Sequence, residues 1–217
     1  MRAGQTAGAG SNRTGMEMAA GLGRNGMGME RVNRIWCHRT YQECLEKIRA
    51  HEKTREFCRH TPEHFLDVAR LTYILALEEG IRQEGITGET SAEPKNRIFP
   101  PKELIYAAGL LHDIGRHLQY EKGIPHQTAS AVIAEGILSD CGFSEGERET
   151  VLHLIRSHRT PQEGTLHLIR SHRTPQEGTD LAALFYRADK LSRNCFACPV
   201  QEKCDWPETK KNLEIKL

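Results

Sequence analysis

The sequence has no apolar run close to the roughly 20 residues that a membrane-spanning helix needs, and neither sign of charge is in clear excess. Its 30 basic and 29 acidic residues leave a formal net charge of +1, so no strong field recruits nucleic acid or an anionic membrane. The first residues also lack a compact apolar stretch with a cleavage site, so secretion is not indicated. We therefore expect a cytoplasmic protein with neither a specific nucleic-acid partner nor a membrane partner.

Methionine is missing after residue 29: all five methionines lie in residues 1–29, together with eight glycines. Such a segment buries little apolar surface, and we expect it to be a disordered tail. Met27 or Met29 is the expected natural start, and a flexible natural tail is the alternative. The rest of the chain is long enough for one domain with a core. We expect a helical domain over residues 30–193 and a small extension over 194–217.

No segment shows a convincing strand alternation, and helical periodicity runs from Glu30 onward. The run Thr61-Pro62-Glu63 is a helix start, with a cap, an early proline and an early acid. Ser144 and Glu147 form a possible capping box for a helix that runs to about His158. Residues 80–100 contain glycine, proline and charged residues, which predict a loop. The predicted fold class is all-α.

A perfect tandem duplication interrupts this pattern, since residues 152–165 recur without change as 166–179. Two copies are too few for a solenoid. Only one copy can occupy the core, so the other must be extruded as a loop. The first copy continues the helix after Ser144 and favours His158 as the docked histidine. His172, which adjoins a last helix capped by Asp180, is the alternative.

The doublet His112-Asp113 ends an apolar helix, and Gly115 is expected as the C-terminal cap of that helix. His64 lies on the apolar stripe of a second helix and Asp189 on a third. Two imidazoles and two carboxylates suffice for one divalent ion.

His126 and His158 lie at helix ends and can supply a second ion. Ligation rich in histidine favours Fe, Mn, Co, Ni or Zn over Mg, which prefers oxygen donors. Arg116, Lys190 and Arg193 lie within a few residues of these ligands and are candidate phosphate contacts. His117 is a candidate proton shuttle.

This ordered set resembles the HD-domain superfamily of metal-dependent phosphohydrolases over roughly residues 55–193. The resemblance implies metal binding by His64, His112, Asp113 and Asp189. With His126 and His158 the chain resembles the six-ligand subset that includes bacterial diadenosine tetraphosphatases, in which the aspartate of the doublet bridges two ions.

The resemblance implies hydrolysis of a nucleotide or other small phosphoester by a metal-activated water, with Asp113, Arg116 and Lys190 as catalytic residues. The main alternative is a non-catalytic module that binds a nucleotide or senses iron or redox state. A diiron oxygenase of the same ligand type is a third hypothesis.

Seven cysteines without a secretion signal indicate free thiols or metal ligands rather than disulfides. Cys195, Cys198 and Cys204 form a C-x2-C-x5-C arrangement that lacks a fourth ligand. Cys58 is the best candidate, because it precedes His64 by six residues and Cys195 follows Asp189 by six. Zinc and a [4Fe-4S] cluster fit equally well. The other cysteines, Cys37, Cys44 and Cys141, are expected to be packing thiols.

Overall fold

The computed structural model describes residues 29–79, 102–159 and 181–215, together with the backbone of 82–83 and 98–99. The described part of the chain is all-α, as the sequence predicts. Its helices are α1 (Glu30–Cys37), α2 (Arg39–His51), α3 (Pro62–Glu78), α4 (Lys102–Leu111), α5 (Arg116–Lys122), α6 (His126–Asp140), α7 (Glu145–Ser157) and α8 (Leu181–Leu191). Three short 3-10 turns follow, at Cys195–Ala197, Gln201–Lys203 and Glu208–Lys210.

Helix α3 lies at the centre and packs along both α4 and α8. It begins where the sequence predicts: the Thr61 side chain accepts a hydrogen bond from the backbone N–H of His64, and Pro62 occupies the first turn. The contact with α4 depends on Gly109, because a Cβ at that position would lie 2.6 Å from the Cβ of Ala69. This close approach brings the end of α4 against the start of α3.

Gly115 has a different role from the predicted one. It has a φ of −83° and precedes α5, so it is not the left-handed cap of α4. A Cβ at Gly115 would lie 2.3 Å from the backbone nitrogen of Ser130 on α6. The Ser130 hydroxyl also accepts a hydrogen bond from the Gly115 N–H at 2.9 Å. The glycine is required for close approach of the His112-Asp113 turn to α6.

Helix α7 begins at the predicted capping box of Ser144 and Glu147 and ends at His158. Arg31 of α1 ties this end of the bundle together, because its guanidinium contacts Glu103 on α4 at 2.6 Å and Glu147 at 2.8 Å. These two ion pairs connect α4 with α7. The doublet His112-Asp113 follows the first of these helices, and His158 caps the second.

One sequence prediction differs from the structure, and several concern residues that the structure does not describe. Instead of a plain loop, the connection between α3 and α4 contains a two-residue parallel pairing of β1 (Arg82–Gln83) with β2 (Ile98–Phe99). The proposed cap Asp180, the second repeat copy with His172, and residues 1–28 lie outside the described residues. None of the helices in the described part of the chain has the length and apolar character of a bilayer-spanning segment.

Candidate metal centre

The six predicted ligands lie together at one buried site, although five different helices or their ends supply them. His64 lies in the first turn of α3 and Asp189 near the end of α8. The doublet follows α4, while the remaining two histidines begin α6 and cap α7. All six residues are buried, namely His64, His112, Asp113, His126, His158 and Asp189.

Three of these residues form the first donor group. The Oδ1 atom of Asp189 lies 3.5 Å from Nε2 of His64 and 3.9 Å from Nε2 of His112. Donors that share one ion at about 2.1 Å lie roughly 3–3.5 Å apart, so only a small contraction would let these three bind one divalent cation.

Asp113, His126 and His158 form the second group. Oδ1 of Asp113 lies 3.1 Å from Nε2 of His126 and 3.7 Å from Nε2 of His158. The two imidazole nitrogens are 3.2 Å apart. These separations also match the donor spacing around a single ion.

The Asp113 carboxylate lies between the two groups and faces each with a different oxygen. Oδ1 faces His126 and His158, whereas Oδ2 lies 3.4 Å from Nε2 of His112 and 3.9 Å from Nε2 of His64. A carboxylate in this position can bind one ion through each oxygen.

Three donor atoms are buried without a hydrogen-bond partner: Nε2 of His112, Oδ1 of Asp113 and Oδ1 of Asp189. A buried polar atom that lacks a partner costs about 1–3 kcal/mol, so three of them at one place need an explanation. All three face the donor groups described above. A divalent cation would satisfy them, and the residues present therefore fit a metal.

The tautomers of the histidines also suit metal binding. Nδ1 of His112 and Nδ1 of His158 donate to the backbone carbonyls of Gly109 and Ile155, at 2.8 and 2.6 Å. In a neutral imidazole this leaves the Nε2 lone pair free to bind a metal. Each Nε2 points towards the Asp113 carboxylate.

His64 is oriented by Ser192, which the sequence did not reveal. The Ser192 hydroxyl donates to the carbonyl of Asp189 at 2.8 Å, so it accepts from Nδ1 of His64 at 3.0 Å. The residue that follows Ser192, Arg193, donates to Nε2 of His64 at 3.1 Å. Ser192 thus positions a ligand of α3, whereas metal binding at Nε2 of His64 requires release of the Arg193 contact.

Protonation states favour a cation as well. Burial lowers the pKa of His64 well below its usual range and lowers the pKa of His126 to about 3, so both rings are neutral. Burial alone would raise the pKa of Asp113, but His112 and His60 outweigh it and hold that pKa well below its usual range. Neutral imidazoles and ionised carboxylates are the forms that bind metals. His112 differs, because Asp113 and Asp189 raise its pKa against the effect of burial, and a metal at its Nε2 must replace a proton there.

The three predicted phosphate contacts border this site. The Arg116 guanidinium lies 2.9 Å from Nε2 of His60 and 2.6 Å from Nδ1 of His126. Lys190 pairs with the Asp189 carboxylate, and the Arg193 guanidinium lies 3.9 Å from Oδ1 of Asp189. The Lys190 side chain is 36% exposed, whereas that of His112 is fully buried. Lys190 is therefore the predicted phosphate contact whose side chain is partly exposed while it still pairs with a buried ligand.

His126 has two competing neighbours. Its Nδ1 lies 2.6 Å from Oε1 of Gln119 as well as 2.6 Å from Arg116. Only donation to Gln119 leaves the Nε2 lone pair free for a metal, because arginine is a donor and never an acceptor. Metal binding at His126 therefore favours the Gln119 contact and releases Arg116.

His60 and Glu52 are functional candidates that sequence reasoning missed. Nε2 of His60 lies 3.5 Å from Oδ2 of Asp113, and Nδ1 of His60 contacts the buried Glu52 carboxylate. Tyr120 donates to the same carboxylate, and His60 and Tyr120 hold the pKa of Glu52 at about 2 against the effect of burial. The only sequence signal was the position of His60 four residues before His64.

Two predictions are wrong. His117 is buried, but its Nδ1 contacts the Ile114 carbonyl at 3.2 Å, and the charged groups that influence its pKa are Glu121, Lys47 and His51. It therefore faces α2 rather than the metal site and is not placed to shuttle a proton there.

The prediction that Cys37 is a packing thiol is wrong, because Cys37 is exposed. Cys44 and Cys141 are buried in the core as expected.

The fold so described is an all-α domain with a buried site of histidine and aspartate side chains suited to divalent cations. The HD domain family model matches residues 61–194, and the chain belongs to that family. An uncharacterized protein of Clostridium beijerinckii is 36% identical over 187 residues, which cover 86% of this chain and 99% of that protein. No solved structure gives a significant match.

Proposed function

We propose that this protein is a metal-dependent phosphohydrolase that acts on a nucleotide or another small phosphoester with two divalent ions. The observation that carries the proposal is the position of Asp113, whose two oxygens face two separate donor groups. Membership of the HD domain family supports a metal-dependent hydrolase in general. The two-ion site and the phosphorylated substrate are the additional parts of the proposal.

His64, His112 and Asp189 would hold one ion and His126 and His158 the other, with Asp113 shared between them. Bound divalent ions lower the pKa of a coordinated water and neutralise charge on phosphate oxygens. The protein's own part is to keep the donors deprotonated and oriented. The carbonyls of Gly109 and Ile155 and the hydroxyl of Ser192 orient three imidazole rings through their Nδ1 atoms, and burial lowers the pKa of His64 and His126 so that those two rings are neutral.

The cations at the site favour a phosphorylated substrate over dioxygen. Arg116, Lys190 and Arg193 all contact ligand side chains, and a dioxygen-activating site has no need for three such cations. Arginine offers paired donors to phosphate oxygens and lysine a single charge. The partly exposed Lys190 is accessible to an anionic substrate from solvent.

The test is anaerobic purification with metal analysis, followed by a turnover screen over nucleotides and simple phosphoesters. We expect metal-dependent release of phosphate or a nucleotide product from the wild type and none from Asp113→Ala. The control is Asp140→Ala, which changes an exposed aspartate outside the metal centre and should release product normally. Tight nucleotide binding without turnover in metal-replete protein would instead support the non-catalytic alternative. Iron-dependent oxygen consumption without phosphoester turnover would support an oxygenase.

A further inference from the structure

Four cysteines meet at one cavity outside the metal centre. Cys58, Cys195, Cys198 and Cys204 all line a cavity of about 190 Å³, here called the thiol cavity. The chain reaches it from two directions, since Cys58 precedes α3 and the other three follow α8 on the short turns. The HD domain match covers residues 61–194 and therefore includes none of these cysteines. The thiol cavity is a feature added to that domain by both of its flanks.

The surroundings of the cavity disfavour four thiolates unless a cation binds among them. Burial raises the pKa of Cys58, Arg193 lowers it, and Cys195 and Cys198 raise it because their negative charges would repel that of Cys58. Four thiolates this close need positive charge among them. Lys211 also lines the cavity, but a single lysine and a neighbouring arginine cannot offset four thiolates.

The spacing of the sulfurs distinguishes between the possible metals. A zinc ion bound by four thiolates at about 2.3 Å holds its sulfurs about 3.8 Å apart. In the described part of the chain, the groups whose donor atoms all lie within 4.8 Å of one another are the two histidine and aspartate groups, and the thiols form no such group. In a four-iron cluster each thiolate binds a different iron, so the sulfurs lie farther apart around a larger guest.

Because the four thiols share one cavity and no three of them meet the 4.8 Å spacing, we propose that Cys58, Cys195, Cys198 and Cys204 bind a [4Fe-4S] cluster. Each thiol releases its proton to solvent when its sulfur binds an iron, and the iron and inorganic sulfide come from the cell's supply. The proposal does not depend on the hydrolase activity, because the cluster would use none of the metal-centre ligands.

The cluster would also anchor the segment that joins the two sites. Ser192 and Arg193 contact His64 of the metal centre, and Cys195 lies only two residues beyond Arg193. Arg193 also donates to the carbonyl of Arg59, the residue after Cys58. The thiol cavity and the metal centre thus share one short stretch of backbone at the end of α8.

The experiment is to purify the full-length protein anaerobically from iron-supplemented cells and to measure iron, zinc and acid-labile sulfide. Sulfide is the decisive quantity, since ions in the metal centre bring none. We expect about four sulfides per chain and a broad visible absorption, in the wild type and in the control Cys37→Ser, which changes an exposed cysteine outside the cavity. Cys58→Ser, Cys198→Ser and Cys204→Ser should each lose most of the sulfide while Asp113→Ala keeps it.

The wild-type measurement alone can overturn the proposal, even if some serine variants fold poorly. Zinc at about one extra equivalent per chain without sulfide would assign a mononuclear site. If the protein contains no sulfide and no metal other than the ions of the metal centre, the four cysteines are free thiols and the proposal is wrong. Sulfide that persists in all three serine variants would place a cluster elsewhere.

Discussion

The metal centre and the thiol cavity lie at neighbouring places in the structure but are built from different kinds of elements. The metal-centre ligands project from long helices or cap their ends, and each of them is buried. Three of the four thiols lie on or next to 3-10 turns, and Cys58, Cys198 and Cys204 are partly exposed. The helical core therefore fixes one donor set before any ion binds. The other donor set lies in a segment held mainly by hydrogen bonds, such as those from Asn212 to the carbonyls of Lys190 and Arg193, rather than by apolar packing.

This difference has an energetic consequence. Removing ions from the metal centre leaves buried polar atoms without partners but does not remove the apolar packing of α3, α4 and α8. Loss of the proposed cluster from the thiol cavity would leave a short, turn-rich tail with few buried apolar residues. We expect the first loss to affect activity most and the second to affect stability most. The following predictions test that contrast.

The largest effect is expected from Asp113→Ala. This change removes the one residue placed to bind both proposed ions. Without them the charge that develops on the phosphate in the transition state loses several kcal/mol of stabilisation, so kcat/KM should fall by roughly 1000-fold or more. The bound metal should fall as well, while the circular dichroism spectrum stays near that of the wild type. A purified variant with full activity would remove Asp113 from the site.

The duplicated segment gives the next prediction. Because His158 lies at the metal centre, His158→Ala should remove most of the second metal and most of the activity, whereas His172→Ala should be nearly silent. The measurement is metal content per chain for both variants. The reverse result would show that the second copy docks in solution.

Deletion of residues 166–179 should leave the metal content and folding intact, because the cost of closing a longer or shorter surface loop varies only logarithmically with its length. This deletion cannot show which copy docks, since removal of either copy gives the same sequence. Its value is as a control: lost metal in the deletion would mean that the extra copy supports the site.

His60→Gln tests a residue that reaches the site through Asp113. Residues in such supporting positions typically contribute 10–100-fold to metal affinity or activity, so we expect about that loss. Metal affinity measured by competition with a chelator separates a positioning role from general damage. Affinity equal to that of the wild type would argue that the Glu52–His60 pair only supports the fold.

Cys198→Ser should lower the melting temperature because a group bound only by the folded state adds to stability. A loss of about 2 kcal/mol lowers the melting temperature by roughly 4–8 °C in a chain of this size. Cys37→Ser is the matched control. An unchanged melting temperature in Cys198→Ser would contradict the contrast between the two sites.

Among the substitutions expected to lower stability or activity, the smallest effect is expected from Glu147→Gln, which lies outside both sites. Hydrogen bonds from Arg31 hold the pKa of Glu147 at about 2. Since the folded-state pKa is below the unfolded one, the stabilisation is present above about pH 4.5 and is lost as the pH falls towards 2. We expect a loss of about 1–2 kcal/mol at pH 7, after allowance for partial exposure, that disappears near pH 2. An equal loss at both pH values would rule out the charge as its cause.

Much of the local structure follows from the sequence because it depends on near neighbours. The Thr61 cap, the capping box of Ser144 and Glu147, and the helical periodicity all involve residues within a few positions of one another. Gly115 shows the limit of such reasoning. A glycine after a helix is typical of a left-handed cap, but here contact with α6, fifteen residues away at Ser130, requires it.

The sequence by itself determined the helical class and pointed to six histidine and aspartate candidates, because the doublet and the helix-end histidines are local patterns. Only the tertiary structure decided that Asp113 faces one donor group with each oxygen, that His60 joins the site through Asp113 with Glu52 on its other side, and that His117 points away. It also brought Cys58 to Cys195 across more than one hundred residues of chain. These outcomes depend on how α3 packs against α4 and α8. Packing between distant segments leaves only indirect signals in a single sequence, such as the equal six-residue offsets of Cys58 from His64 and of Cys195 from Asp189.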